Sequence, residues 1–198
     1  MLLECSAMSR IRGLHSTLKF CCMAIIKTVR DKTPSIPANC FVAENATIVG
    51  DVIMGEQCSV WFTAVIRGDV NSIEMGNKVN IQDGAIIHCT YQKAATKIGH
   101  CVSIGHRAMV HGCTIEDHVL IGMGSIVMDH CVIGHHSIIA AGAVVTEGTV
   151  VEPYSLYAGV PAKKIKQIDA TLIDGEINRI ADNYVMYAGW FKEEEDLT

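Results

Sequence analysis

The chain has 198 residues, 49% of them hydrophobic and 19% charged, which excludes wholesale disorder and suits one domain or a short repeat array. Lys and Arg total 16 against 21 Asp and Glu, a net charge of -5, so no basic surplus points to nucleic acid or an anionic membrane. The longest strictly apolar stretch, residues 20–26, is far shorter than the roughly 18 residues a membrane-spanning helix needs.

Residues 1–22 carry Arg10, Arg12 and Lys19 against one acid, Glu4, with several serines and no repeat. They read as a disordered leader: a targeting segment, a dispensable tail, or the product of a start codon placed too early ahead of Met23. Nine cysteines, an odd number without a C-x-x-C pair, support neither a zinc finger nor a disulfide framework. They read as free thiols that act as small hydrophobes, which places the protein in a reducing, cytoplasmic setting.

From Val42 onward a large apolar residue returns at every sixth position. The series runs Ile48, Met54, Val60, Ile66, then Met75, Ile81, Ile87, then Ile98, Ile104, Val110. It continues from Ile115 through Ile121, Val127, Ile133, Ile139, Val145 and Val151 to Tyr157. The register slips after Ile66, Ile87 and Val110. Four positions beyond most of these residues comes a short side chain, such as Ala46, Cys58, Ala64, Val70, Ala85, Ala108 or Thr114. One large and one small inward residue per rung predict a narrow core, and an amphipathic helix, with its period of 3.6, is excluded. Gly55, Gly76, Gly99, Gly105, Gly122 and Gly134 follow the large residue directly, where a chain turning a corner calls for permissive dihedrals.

This pattern resembles the hexapeptide-repeat family. The resemblance implies an all-β fold, a left-handed parallel β-helix of triangular coils, over residues 23–166. In residues 167–198 the period changes. Ile173, Ile177, Ile180, Tyr184, Tyr187 and Phe191 are spaced by fours and threes, which predicts a C-terminal α-helix packed on the outside of the prism, with Asp174 as its N-cap.

Counting faces around the prism puts Ile66, Ile87 and Val110 on one face in successive coils, the first face. The residues after them, Arg67, His88 and His111, then form an outward column with neighbours about 4.8 Å apart. Two stacked imidazoles at that spacing can share one metal ion through bonds of ~2.0–2.1 Å. Ile81 and Ile104 fall on a second face, and Asp83 and His106 stack two residues beyond them. The packed core separates His106 from the first-face column of its own chain. If all three histidines serve one metal, the third comes from another subunit, and a threefold ring satisfies this.

The motifs R-G-D at 67–69, N-I-Q-D-G at 80–84 with His88 beyond it, and I-G-H-R-A-M-V-H-G-C at 104–113 resemble the γ-class carbonic anhydrase family over residues 23–191. By this resemblance His88, His106 and His111 are the metal ligands. Arg67 and Asp69 are an ion pair near the subunit junction, Gln82 lies beside the metal-bound water, and Asp83 belongs to the surrounding polar network. The implied activity is reversible hydration of CO₂ to bicarbonate in a homotrimer, with Zn²⁺ as the cofactor and Fe²⁺ or Co²⁺ as alternatives that imidazole also suits. The acidic proton-shuttle residues of the family's fast form are missing. Val70 stands where an acid is expected, and residues 89–97 contain none. Three other readings share the fold: a hexapeptide acyltransferase, suggested by G-V-P-A-K at 159–163, an acyl-CoA thioesterase, and a non-catalytic metal-binding scaffold.

Overall fold

A computed structural model of the chain describes residues 23–196, so the leader expected over residues 1–22 lies outside the described residues. The large apolar residues of the six-residue series all point inward. From Ile48 to Tyr157 each is at most 8% exposed, and only Val42, at the open end, is half-buried. Burial of one such side chain stabilises the fold by ~1.5–3 kcal/mol.

Parallel strands stack these residues into a left-handed β-helix with three faces. An eight-stranded sheet makes the second face, running from Phe41–Val42 through Ser59–Val60, Asn80–Ile81 and Ser103–Ile104 to Ser155–Ala158, where Lys163–Gln167 closes it antiparallel. An eleven-stranded sheet wraps the other two faces, because Thr47–Ile53 and Val65–Met75 run on around a corner. The corner is possible because Gly50 takes φ 79°, and a Cβ there would lie 2.4 Å from the Gly68 carbonyl oxygen.

The register slips have visible causes. Three extra residues after Ile66 lengthen Val65–Met75, and five after Ile87 bulge out as a turn closed by the Thr90–Ala94 bridge. At a slip the small inward residue is counted back from the next large one. Ile73 and Cys113 are therefore buried, whereas Val70 is only half-buried and Thr114 is exposed.

The glycines after the large residues serve a different purpose from the one their position suggests. None of Gly55, Gly76, Gly99, Gly105, Gly122 and Gly134 has a positive φ. A Cβ would instead strike the next coil, at Gly122 reaching within 2.5 Å of the Ala141 nitrogen. The left-handed conformation falls three residues after the large one, on Gly84, Gly124, Gly142 and Gly148 and also on non-glycine residues, among them Lys78, Cys101, His118, His136 and Tyr154. Each donates its backbone N–H to a carbonyl of the preceding coil, which at the non-glycine residues offsets the steric cost of φ > 0.

The C-terminal helical segment starts at Ala170–Leu172, passes through a π-helical stretch, Ile173–Asn178, and continues as Arg179–Asp196. Its N-cap is Asp169, which accepts the Leu172 N–H at 2.9 Å, and not Asp174, which sits inside the helical segment. Chain reversal after the last strand occurs earlier than the apolar stripe alone suggests. The helix lies over the second face and runs back toward the start of the prism. Ile173 and Ile177 pack with Ile138 and Ile168, and further on Tyr184 and Phe191 meet Trp61 at ring-centroid distances of 5.3 and 5.5 Å. No helix among the described residues is long and apolar enough to cross a membrane.

Candidate metal centre

Strands Ile86–His88 and Met109–His111 pair in parallel with His88 opposite His111, and Ile66 opposite Ile87 puts Arg67 in the same row. Alternation along a strand sends the buried isoleucines and valine inward and this row outward. His88 Nδ1 and His111 Nε2 approach to 2.9 Å, with ring centroids 4.9 Å apart.

The remaining nitrogen of each ring meets a carboxylate. His88 Nε2 lies 3.2 Å from Asp69 Oδ1, and His111 Nδ1 lies 2.5 Å from Asp129 Oδ1. Both carboxylates are fixed in turn. Arg67 Nη1 donates to Asp69 Oδ2 at 2.6 Å, and the Thr90 hydroxyl donates to Asp129 Oδ2. Burial works to raise both carboxyl pKa values, but hydrogen bonds from Arg67 and His88 to Asp69, and from His111 and Thr90 to Asp129, outweigh it and hold both below the usual range. Burial, aided by the positive field of Arg67 and His111, also pulls His88 below the ordinary imidazole value, against its hydrogen bond to Asp69. A neutral ring with one nitrogen anchored on a carboxylate offers the other as a ligand, the arrangement that orients metal-bound histidines. A tetrahedral ion with ~2.0–2.1 Å bonds requires its ligand nitrogens ~3.3–3.4 Å apart. Only a slight opening of the pair is needed.

His106 lies on the second face, beyond Ser103–Ile104. Its Nδ1 is 2.9 Å from Asp83 Oδ2, and its backbone N–H donates to Gln82 Oε1 at 3.1 Å. Gln82, 5% exposed, donates from Nε2 to Asn80 Oδ1 at 3.0 Å, and Asn80 Nδ2 donates to Ser103 Oγ at 2.7 Å. This buried ladder sets the turn that carries His106. The residues singled out in the sequence therefore fall into two groups. Arg67, Asp69, His88 and His111 meet on the first face, while Gln82, Asp83 and His106 meet on the second. Among the described residues of one chain, no three His, Cys, Asp or Glu side chains converge to hold a metal ion.

Four members of these networks, Asn80, Ser103, Asp129 and Thr90, are not singled out by the sequence motifs. Asn80 stood in the quoted N-I-Q-D-G motif without a role. Asp129 is two residues beyond Val127, which pairs with Val110, so an acid one coil above His111 was the available signal. Thr90 belongs to the turn inserted after His88, and its reach to Asp129 depends on how that turn folds.

The stacked coils and their outward histidines define a hexapeptide β-helix that carries paired, carboxylate-anchored imidazoles. A family model described as bacterial transferase hexapeptide (six repeats) matches residues 112–147. A carbonic anhydrase of Geobacillus kaustophilus is 39% identical over 168 residues, covering 85% of this chain and 91% of that protein. The mitochondrial γ carbonic anhydrase 2 of Arabidopsis thaliana is 36% identical over 169 residues, covering 82% of this chain, and the chain spans 60% of that relative's length. Among solved structures, a hexapeptide transferase family protein from Anaplasma phagocytophilum superposes with a TM-score of 0.80 at 37% identity, covering 84% of this chain and 98% of that one. The chain belongs to the γ carbonic anhydrase family.

Proposed function

We propose that the chain is one subunit of a homotrimeric, zinc-dependent carbonic anhydrase that interconverts CO₂ and bicarbonate. His88 and His111 of one subunit and His106 of a neighbour would hold the ion. The observation that carries this reading is the 2.9 Å approach of two imidazole nitrogens whose other nitrogens are each anchored on a carboxylate. His106, anchored the same way, stands on another face. A trimer also accounts for an outward apolar column beside the site. Ile86, Met109 and Ile126 stack in register on the first face, each 37–38% exposed, and Met109 and Ile126 line a cleft of about 460 Å³ that includes His111.

The chemistry such an ion supplies when bound is Lewis acidity, enough to bring the pKa of a water to about 7. The protein's part is electrostatic and positional. Asp69 and Asp129 keep a proton on the outer nitrogen of His88 and His111, so each ring presents its lone pair inward. Asp83 does the same for His106. Arg67 braces Asp69 and places a positive charge beside the pair, where it favours an anionic product. Gln82 holds the His106 turn through its carbonyl oxygen, and its half-filled hydrogen-bonding capacity is available to orient water or CO₂. Val70 and the 89–97 turn offer no carboxylate, so the proton released on hydration leaves through water or buffer.

The decisive experiment mixes two variants. His88→Ala and His106→Ala trimers should each lack metal and activity when pure. Refolded together, mixed trimers should regain some complete sites, because one interface can then draw its intact ligands from both kinds of subunit. Failure of complementation in mixed trimers of proven composition would overturn the shared site.

A second reading, acyl transfer to or from coenzyme A, is favoured by the G-V-P-A-K turn at 159–163, where Val160 is 73% exposed, and by the transferase name of the Anaplasma relative. Saturable coenzyme A binding by the metal-loaded trimer would support it.

A further inference from the structure

The second face holds a pair of cysteines that the metal centre does not use. Phe41 pairs with Ser59 in parallel register, so Cys40 and Cys58, one residue before each, lie opposite one another in adjacent coils. The backbone confirms the alignment, since the Phe41 N–H donates to the Cys58 carbonyl at 2.9 Å. Adjacent parallel strands are ~4.8 Å apart. That spacing lies inside the ~4.4–6.8 Å Cα window of a disulfide. Both side chains point into the prism, where the Cys40 thiol donates to the Gly55 carbonyl at 3.2 Å and the Cys58 thiol to the Gly76 carbonyl at 3.1 Å.

A second pair serves as an internal control. Thr114 pairs with Val132 and Ile115 with Ile133, so Cys113 and Cys131 are opposed in the same way on the third face. Their environments differ from that of the first pair. Cys113 and Cys131 are 2% and 1% exposed in mid-prism, whereas Cys40 is 8% exposed in the first coil, under the turn that Pro37 forms with it. Burial pushes both mid-prism thiols above the ordinary value. At Cys40 the adjacent Cys58 outweighs burial and, with the nearby Lys192 ammonium, brings the thiol down to about 7. Lys192 is held there by donating to the Asn39 carbonyl at 2.9 Å.

We propose that Cys40 and Cys58 form a peroxide-reactive dithiol that closes reversibly into a disulfide joining the first two coils. The Cys40 thiolate attacks one oxygen of hydrogen peroxide. An S–O bond forms, the O–O bond breaks and hydroxide leaves, so that sulfur is oxidised to the sulfenic acid and peroxide is reduced. The Cys58 sulfur then attacks the Cys40 sulfur. The S–S bond forms, the S–O bond breaks, and the departing hydroxyl leaves as water with the Cys58 proton. Cys40 is the attacking thiol because it is the more exposed and has the charged neighbour, and Cys58 resolves. Nothing in this step involves His88, His106 or His111.

The test is peptide mapping of the full-length protein after graded hydrogen peroxide, with free thiols blocked before digestion. A linked Cys40–Cys58 peptide, lighter by two hydrogens, should appear and be lost on treatment with dithiothreitol, while Cys113 and Cys131 stay free. In Cys58→Ser, dimedone should trap sulfenic acid at Cys40. In Cys40→Ser, Cys58 should resist peroxide. On the unmutated protein, which removes any question of misfolded variants, iodoacetamide should alkylate Cys40 about tenfold faster than Cys113 or Cys131 at neutral pH. The rate should rise with a midpoint near 7. Equal reactivity of the two pairs, or a peroxide product at Cys40 that never links to Cys58, would overturn the proposal.

Discussion

His88 and His111 on the first face, and His118 and His136 on a corner beside the helix, are both columns with one histidine per coil. Their ring centroids are 4.9 Å apart in the first column and 4.8 Å in the second. In the first column the rings are inclined at 64°, each turned toward its own carboxylate. In the second they lie within 16° of parallel, and Tyr154 continues the stack at 5.0 Å. The carboxylates beside the second column hold backbone instead of rings. Asp117 accepts the His100 N–H at 2.7 Å and Glu116 accepts the His135 N–H at 2.8 Å. The rings pair among themselves or with amides, His135 with His136 at 2.9 Å and His118 with Asn178 at 2.8 Å. Equal spacing thus yields a candidate metal pair in one place and a structural ladder in the other. What separates them is which atoms the neighbouring carboxylates engage.

The sharpest way to break this contrast is to remove one ring from each column. His111→Ala should abolish stoichiometric metal binding by the trimer, measured by elemental analysis, whereas His118→Ala should leave the metal content unchanged. A next, smaller effect is expected from the carboxylates. Asp129→Ala should weaken metal affinity by about 10–100-fold in competition with a chelator, the usual consequence of losing a ligand's hydrogen-bond partner. Asp117→Ala should leave affinity alone and lower the melting temperature, since it removes a bond to backbone.

Proton export should distinguish the first column in a third way. With no carboxylate at Val70 or in the 89–97 turn, raising imidazole buffer at constant pH and ionic strength should increase kcat several-fold while leaving kcat/KM for CO₂ nearly unchanged. Val70→Glu should reduce that dependence.

The smallest effect concerns pH and the ladder. Burial, reinforced by His118 and His135, lowers the His136 pKa below the ordinary imidazole value of about 6.5. The unfolded chain then binds a proton at a higher pH than the folded one does. Stability should fall as pH drops below about 6.5 and level off once the pH is below the folded pKa. Replacing the ring with His136→Asn should flatten denaturation midpoints over that window, and an unchanged slope would mean that His136 carries no such linkage.

Much of the site was legible because a β-helix turns sequence distance into spatial position almost by counting. His88 and His111 are 23 residues apart, yet adjacent strands put them in one row once the slips are set aside. The count fails where the chain leaves the six-residue beat. Thr90 reaches Asp129 from an inserted turn, so that contact has no sequence spacing to reveal it. Position alone also misled about the glycines, because a missing Cβ serves a close coil contact as well as a left-handed dihedral, and only coordinates tell the two apart.

The sequence by itself determined the architecture: one large and one small inward residue in each hexapeptide leave a chain few ways to bury its apolar surface other than stacked, three-sided coils. It also separated His106 from His88 and His111, since that follows from face counting. The tertiary structure alone decided how each ring is held. Asp69 and Asp129 turn His88 and His111 toward each other, Asp83 and Gln82 set His106, and Asp169 in place of Asp174 starts the helix. The physical reason is range. Apolar burial depends on a periodicity summed over many residues and survives small local errors, whereas a hydrogen bond depends on a few tenths of an ångström between particular atoms, which only the packed coils establish.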